Sequence, residues 1–254
     1  MRKNIILLLI LFSIPCFATE VKIVGYWSFD THENGITPDA SGYNNHGVVK
    51  NGATHVAGKY GNAFNFDGSN DYILINNSSK LNFANESFSW SFWTKKNRST
   101  VQELIIGQGA GGPNAGLVLG FRNNDHFTFA FWSNDLDTVS YSDTQQWHHW
   151  VGTYDSETNA RKIYRDGSIV ASGTATNDYL GTGAIGIGGG AGGWSSSYFQ
   201  GLIDEVAFWE GSLDSQEVQQ VYNNGVMSIS NIPEPVTVVL LFLSITAAFL
   251  LKKN

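Results

Sequence analysis

Two acidic residues, Asp204 and Glu205, could carry out chemistry because they sit together in a strand-like segment, GLIDEVAFWE. Hydrolysis of a glycosidic bond needs two carboxyl groups about 5–9 Å apart that flank the bond. Neighbouring residues of a strand point to opposite faces, and Glu210 lies too far along the strand to pair tightly with Asp204. This spacing argues against a glycosidase, and we expect the protein not to be an enzyme.

The segment from Asp39 to Gly47, DASGYNNHG, combines several side-chain oxygens with two glycines. Calcium takes about six to eight oxygen ligands, many of them carbonyls, so a loop of this composition can wrap an ion. In the alternative interpretation, Asp39 and Asn44 only fix the turn through bonds from side chain to main chain. We expect calcium here, in a structural role.

Other reactive groups give weaker indications. His148 and His149 are adjacent on a predicted strand and face apart, so they cannot chelate one metal together. No cysteine follows Cys16, and no serine lies in a G-x-S-x-G motif. The glycine-rich segment 181–193 is followed by Trp194 and serines rather than by a helix, so we interpret it as a flexible loop between strands and not as a phosphate-binding loop.

Aromatic side chains in or beside loops could bind a sugar, because ligand sites combine apolar surfaces with a few polar groups that fix orientation. The candidates are Trp194, Tyr198 and Trp132, and Tyr179 is a further one. For any single ring, packing in the core or at an edge is the alternative.

Short strands must position these groups. Residues 147–154 are rich in aromatic and β-branched side chains, and the segments 161–165 and 168–171 lie on either side of an Asp166-Gly167 turn. Both faces of residues 147–154 carry bulky apolar groups. This pattern predicts a strand in the middle of a sandwich.

The whole pattern favours an all-β fold, a two-sheet antiparallel jelly-roll sandwich. Residues 87–95 alternate strictly, which predicts a half-buried strand. Asp214 and Glu217 form a capping box for one short helix over residues 215–223, which we expect to pack on the sandwich edge. The other predicted strands are residues 21–29, 62–67, 71–75, 104–107, 117–122, 126–132, 184–188 and 202–209.

The motifs resemble those of LamG-like domains, which are concanavalin A-like jelly rolls. The family's W-H-H-V-A-x-x-Y-D motif, followed by x-L-Y-V-D-G, corresponds to QWHHWVGTYD and IYRDGSIVASG here. Arg161 and Arg165 depart from the pattern, because the family usually has apolar residues there. Over residues 21–226 the family's order is also kept by YWSFD, DASGYNNHG, GKYGNAFNFDGSNDYI, FSWSFWTK, FQGLIDEVAFW and LDSQEVQQVYNNG.

The resemblance implies a set of calcium ligands. In many LamG-like domains, an aspartate of the D-x-S-G-x-x-N-x-G loop and an aspartate of the late G-x-I-D-E strand share a calcium ion. Carried over to this sequence, these are Asp39 and Asp204, with Asn45 as a helper and Asp30 as a further candidate.

The composition suits a β-rich domain that does not bind nucleic acid. The chain has 254 residues, 28 of them glycine, and a net charge of −7. No basic run lies outside the termini, which argues against nucleic acid as a partner. Because the only cysteine is Cys16, the mature chain would contain no disulfide.

Residues 1–18 are typical of a secretory signal peptide. Arg2 and Lys3 precede an apolar run, residues 5–14, and cleavage is expected after Ala18. Lipidation of Cys16 is disfavoured, since the residue before it is a proline and not a small residue. We expect the folded domain at residues 21–226, followed by a linker, residues 227–231.

Residues 232–254 resemble the PEP-CTERM sorting signal of Gram-negative bacteria. Pro233, Glu234 and Pro235 precede the uncharged segment 236–251, which predicts a membrane-spanning helix, and a basic tail closes the chain. In that family an exosortase cuts the tail, and the protein continues to the cell surface or the extracellular matrix. A plain C-terminal anchor is the alternative.

These features predict a non-catalytic, exported binding or adhesion module. Its expected partner is a glycan or another component of the extracellular matrix. The expected location is the cell surface, the outer membrane or the exopolysaccharide of a Gram-negative bacterium, after transient anchoring in the inner membrane. A structural matrix protein without a specific ligand is the first alternative, and an enzyme that acts on polysaccharide is the second.

Overall fold

The computed structural model describes residues 21–76, 78–191 and 197–229, and within them it contains seventeen strands, one α-helix and two 3₁₀ turns. The helix is α1 (Ser215–Asn224), and the 3₁₀ turns are Ser79–Leu81 and Val226–Ile229. The strands are β1 (Lys22–Trp27), β2 (Ile36–Thr37), β3 (Gly47–Lys50), β4 (Thr54–Ala57), β5 (Asn62–Asp67), β6 (Tyr72–Ile75), β7 (Phe88–Lys96), β8 (Glu103–Gly109), β9 (Gly116–Phe121), β10 (His126–Ala130), β11 (Asp135–Ser140), β12 (His148–Asp155), β13 (Ala160–Arg165), β14 (Ser168–Thr174), β15 (Ile185–Ile187), β16 (Gly189–Gly190) and β17 (Gln200–Glu210).

Several predicted features lie outside the described residues. They are the signal peptide 1–18, the sorting motif Pro233-Glu234-Pro235, the apolar segment 236–251 and Trp194. In the part of the chain that the structure describes, no helix has the length and apolar character needed to cross a bilayer.

The strands form two sheets, and the predicted two-sheet antiparallel jelly roll is confirmed. Sheet I has the order β14-β13-β12-β7-β17-β5-β4, and β1 pairs with β17. Sheet II has the order β11-β10-β9-β8-β15-β6-β3-β2, and β16 pairs in parallel with β8. Strands far apart in sequence are therefore neighbours, as the crossing connections of a jelly roll require.

Aromatic rings fill the space between the sheets. Phe127 of β10 stacks on Trp150 of β12 with ring centroids 4.2 Å apart, and Trp90 stacks on Phe92 along β7 at 5.3 Å. Burying one side chain of this size contributes about 1.5–3 kcal/mol to the free energy of unfolding. The core is thus built from the inward positions of strands in both sheets.

The hairpin of β13 and β14 has the predicted turn. Asp166 and Gly167 have φ angles of 51° and 77°, the left-handed values that a tight hairpin turn needs. As predicted, β12 lies in the interior of sheet I, between β13 and β7.

The outer face of sheet I is covered, and two predictions about it are wrong. The strand predicted as half-buried, residues 87–95, corresponds to β7 and buries both faces, because Ser89 bonds to the main chain of residues 211 and 213 and Trp93 stacks on Tyr222 of α1. The helix does not pack on the sandwich edge. It lies over the sheet, where Val218 and Val221 join a buried cluster with Val151, Tyr164 and Trp209.

Arg161 connects the two sheets from a position where an apolar residue is usual. Its side chain is buried, and Nη1 donates to the carbonyl oxygens of Phe129 (3.1 Å) and Asn134 (2.7 Å). Nη2 donates to Asn134 Oδ1 at 2.9 Å, and the guanidinium lies 4.7 Å from the ring centre of Phe131. The departure from the family pattern is therefore accommodated by polar contacts with sheet II and its β10–β11 turn.

Candidate ligand-binding site

A cleft of ≈ 170 Å³ lies on the outer face of sheet II. It forms there because β9 and β10 alternate: Leu117, Leu119, Phe127 and Phe129 point into the core, so the residues between them point outward. The residues that line the cleft are Gln102, Glu103, Leu104, Val118, Phe121, Arg122, Thr128, Trp132 and Ser197.

Trp132 borders the cleft from the turn between β10 and β11. The residue is 39% exposed, one of eight exposed large apolar residues in the described chain. Its backbone and that of Ser133 are left-handed, with φ angles of 50° and 62°, and its carbonyl oxygen accepts a bond from Asn114 N at 3.1 Å. The turn is thus held by the main chain while an aromatic surface faces solvent.

A fixed positive charge lies in the same cleft. Arg122 Nε is 3.1 Å from both carboxylate oxygens of Asp137, and Nη2 is 2.7 Å from Asp135 Oδ2 and 3.1 Å from Thr128 Oγ1. Burial works against the charge, but the bonds to Asp137 and Asp135 prevail and raise the pKa of Arg122. The guanidinium is therefore held in place before any ligand binds.

Glu103 supplies a buried acid at the other side of the cleft. Its Oε1 accepts bonds from Arg98 Nε at 2.6 Å and from Gln200 N at 2.9 Å. Burial raises the pKa of Glu103, although the bond from Arg98 opposes that shift.

Tyr198 is next to the cleft and only partly buried. Its main chain bridges to Leu104, its carbonyl oxygen accepts a bond from Arg98 Nη2 at 2.8 Å, and its ring lies against Gly189. Of the four predicted ligand residues, the structure thus brings Trp132 and Tyr198 to the region of one cleft, and Trp194 is outside the described residues. The fourth, Tyr179, is wrong as a ligand residue, because its ring is buried in the core.

The sequence prediction did not include Arg122, Thr128 or Glu103. One signal was available, because Asp135 and Asp137 are two residues apart and so lie on the same face of a strand. Two neighbouring negative charges on one face indicate a cation beside them. The strand β11 that carries them was not predicted, since only Thr138 of its six residues is buried.

Asp204 and Glu205 lie elsewhere, on the outer side of sheet I. A β-bulge interrupts the pairing of β17 with β7 between Asp204 and Ala207, and Glu205 has a φ angle of 54°. Ile203 and Val206 point into the core, Asp204 points outward, and Glu205 accepts a 2.6 Å bond from Tyr26 on the same outer side. The prediction that the two carboxylates face apart is wrong, because the sequence does not show the extra residue of a bulge.

Both carboxylates are nevertheless shielded from solvent. Asp204 is 0% exposed and accepts bonds from the main-chain N–H groups of Lys59 (2.9 Å), Tyr60 (3.1 Å) and Glu205 (2.9 Å). Burial raises the pKa of Asp204 to about 7, and it also raises the pKa of Glu205, which is 7% exposed. A polysaccharide chain could not reach these acids without a rearrangement.

The predicted calcium ligands have separate partners. Asp39 Oδ1 accepts bonds from Tyr26 N and Ser41 N, and Oδ2 accepts one from Asn45 N, all at 2.9 Å. Asn45 Nδ2 in turn donates to Val24 O at 3.0 Å. This geometry is that of a side chain that fixes a turn, and none of these bonds links Asp39 with Asp204.

No group of three His, Cys, Asp or Glu side chains in the described residues is placed to hold a metal ion. Asp30 is exposed, and its Oδ1 accepts a bond from Asn62 N at 3.1 Å. Calcium binding by Asp39, Asp204, Asn45 and Asp30 therefore stays a prediction.

The two adjacent histidines have different surroundings, as their predicted opposite orientation requires. His148 lies between Asp166 (2.7 Å from Nδ1) and Asp143 (2.6 Å from Nε2). His149 is buried beside the ring of Trp93, and burial lowers its pKa to about 3.

Comparison with known proteins identifies the superfamily. No curated protein sequence matches the chain. Domain 4 of AbnA, a GH43 extracellular arabinanase from Geobacillus stearothermophilus, solved in complex with arabinotriose, is 25% identical with a TM-score of 0.66, over 80% of this chain and 100% of that one.

Two further structures share the fold. The binding domain of Paraclostridial Mosquitocidal Protein 1 is 17% identical (TM-score 0.63; 80% of this chain, 52% of that one). A Trypanosoma rangeli sialidase in complex with sialic acid is 19% identical (TM-score 0.61; 79% of this chain, 32% of that one). A family model of the concanavalin A-like lectin/glucanases superfamily matches residues 67–219, more than half of the sequence, and the chain therefore belongs to that superfamily.

Proposed function

We propose that this protein is a non-catalytic carbohydrate-binding module whose site is the cleft on the outer face of sheet II. The observation that carries the proposal is the position of Trp132, an exposed ring at the border of a concave site that also contains a fixed cation, a hydroxyl group and a buried acid.

The chemistry of the cleft fits a sugar. The C–H face of a pyranose or furanose ring packs on an aromatic ring, while its hydroxyl groups need donors and acceptors in fixed positions. Arg122 and Thr128 lie side by side, bonded at 3.1 Å, and can offer N–H and O–H groups. Because Asp135 and Asp137 already hold the guanidinium, binding loses little side-chain entropy.

The similarity to domain 4 of the arabinanase supports this class of ligand, since that domain was solved with arabinotriose. A short neutral oligosaccharide matches a cleft of ≈ 170 Å³ better than a large folded partner does. The buried acids Asp204 and Glu205 are on the other sheet, and the two exposed carboxylates beside the proposed sugar site, Asp135 and Asp137, are both bonded to Arg122.

The test is a glycan array that includes arabinotriose, followed by calorimetric titration of the glycans that bind. We expect Trp132→Ala to weaken binding at least tenfold, which corresponds to about 1.4 kcal/mol. Tyr60→Ala is the matched control, because Tyr60 is a 44% exposed aromatic residue just before β5 of sheet I, and it should bind as the wild type does. Equal affinity in Trp132→Ala and wild type, or no binding to any glycan, would contradict the proposal.

We further propose that the module acts outside the cell. The support is the sequence alone: the leader at residues 1–18, and Pro233, Glu234 and Pro235 ahead of the apolar segment 236–251. Mass spectrometry of the protein from its native membranes and medium tests this. We expect an N-terminus after Ala18 and a C-terminus near the Pro-Glu-Pro motif, and an intact 254-residue chain would contradict the processing.

A further inference from the structure

We propose that His32 and His55 form a binding site for a transition-metal dication of the Zn²⁺, Ni²⁺ and Cu²⁺ class, at the edge where the ends of the two sheets meet. His55 is on β4, the edge strand of sheet I, and His32 precedes the tight turn that leads into β2, the edge strand of sheet II. This site is separate from the sugar cleft and does not depend on the proposed function.

The distance between the two rings suits one shared ion. Their centroids are 5.8 Å apart with an angle of 47° between the planes. A zinc–nitrogen bond is about 2.0–2.1 Å long, which places two imidazole centres on one tetrahedral ion about 5–6 Å apart. The rings are therefore at the right separation without a movement of the main chain.

A hydrogen bond sets the tautomer of His55. Its Nε2 lies 2.6 Å from the carbonyl oxygen of Phe29, and because a carbonyl only accepts, Nε2 carries the proton. In the neutral ring the lone pair is then on Nδ1. A metal-ligating histidine usually donates its other N–H to a carbonyl or carboxylate in this way, so His55 is already oriented as a ligand.

The two rings are held by packing but remain accessible. His32 meets the buried ring of Phe64 edge-on at 5.3 Å, and His55 lies 5.5 Å from the same ring. Both histidines are exposed, and both line an open concavity of ≈ 690 Å³. An ion in solution can therefore reach them.

Acidic side chains in the same concavity can complete the coordination. Asp30 and Glu33 also line it, and both are exposed. Since no three such groups in the described residues already surround one point, we infer two imidazole ligands, water, and one carboxylate that turns toward the ion. Imidazole nitrogen favours Zn²⁺, Ni²⁺ and Cu²⁺ over Ca²⁺, which prefers oxygen, so this site differs in chemistry from the predicted calcium loop.

The experiment is calorimetric titration of the metal-free full chain with ZnCl₂ and with NiCl₂, in the presence of excess CaCl₂. We expect one ion per chain, and we expect His32→Ala and His55→Ala each to weaken binding at least tenfold. His126→Ala is the matched control, because His126 is a partly exposed strand histidine outside the concavity, and its affinity should equal that of the wild type.

A second readout separates ligation from loss of folding. Thermal melts show whether each variant keeps the wild-type fold, and binding of Cu²⁺ should produce an absorption band that His32→Ala and His55→Ala lose. The proposal would be overturned if neither Zn²⁺ nor Ni²⁺ binds, or if a variant with both His32→Ala and His55→Ala binds them with wild-type affinity. Displacement of the bound ion by calcium would also overturn it.

Discussion

The bridge made by Arg161 gives a sharp prediction about what holds the two sheets together at their β11–β14 side. The residue is 2% exposed, and burial lowers the pKa of its guanidinium to about 10, so the group is still charged at pH 7. We compare Arg161→Ala, which removes the side chain, with Arg161→Met, which keeps most of its length without the charge.

The magnitude follows from what each substitution leaves behind. Arg161→Ala opens a cavity between the sheets, and substitutions of this kind cost about 2–5 kcal/mol. The lost hydrogen bonds and the relieved penalty for burying the charge offset each other in this variant, and Asn134 O keeps a bond from Phe131 N (3.0 Å) while Asn134 Oδ1 keeps one from Thr176 N (3.3 Å). We therefore expect a loss of about 3 kcal/mol in the free energy of unfolding.

Arg161→Met should be close to neutral. It loses hydrogen bonds from a charged donor, each of which contributes about 1.5–3 kcal/mol. It also relieves the penalty for burying a charge, which is several kcal/mol. These terms offset, and we expect a change within about 1 kcal/mol.

Urea unfolding at pH 7 measures both values as shifts of the midpoint at constant slope. Lys162→Ala on the same strand is the control, because Lys162 is partly exposed on the other face of β13, and it should cost no more than about 1 kcal/mol. If Arg161→Met loses as much stability as Arg161→Ala, then the hydrogen bonds of the guanidinium, and not its packing, stabilise the contact between the sheets. That result would refute the reasoning.

Two further predictions concern protons and metal. The pKa of His149 is lowered from 6.5 to about 3, so between those values the unfolded chain binds a proton that the folded chain does not, and stability falls as the pH drops through that window. His149→Phe should therefore weaken the dependence of the melting temperature on pH between pH 6.5 and 4. An unchanged dependence would show that another group is responsible. With calcium as the only metal ion present, a chelator should lower the melting temperature of the wild type, and Asp39→Ala should abolish that response. Identical melts with and without calcium would contradict the predicted calcium site.

Local features of the fold were predictable because they depend on residues close in sequence. The alternation of residues 62–67 predicted β5 with its observed bounds. Asp214 accepts bonds from Gln216 N and Glu217 N, and Glu217 bonds back to Asp214 N, as the capping box predicted. Each of these signals acts within one turn or one strand.

The candidate site was only partly predictable. Trp132 was predicted from its loop position, but Arg122, Thr128 and Glu103 converge on it only because β8, β9 and β10 are neighbours in sheet II. The sequence of a single strand does not show which other strand will pair with it. The left-handed residue that brings Glu205 to the same side as Asp204 was likewise invisible, since glutamate has no local preference for that conformation.

The sequence by itself determined where strands, turn and helix cap form, because backbone geometry follows from near neighbours along the chain. Only the tertiary structure decided which faces are buried and which side chains meet. Asp204 shows the reason: its carboxylate is fixed by the N–H groups of Lys59 and Tyr60, about 145 residues away in sequence. Such contacts depend on strand register and on what α1 covers, and these arise from the packing of the whole domain.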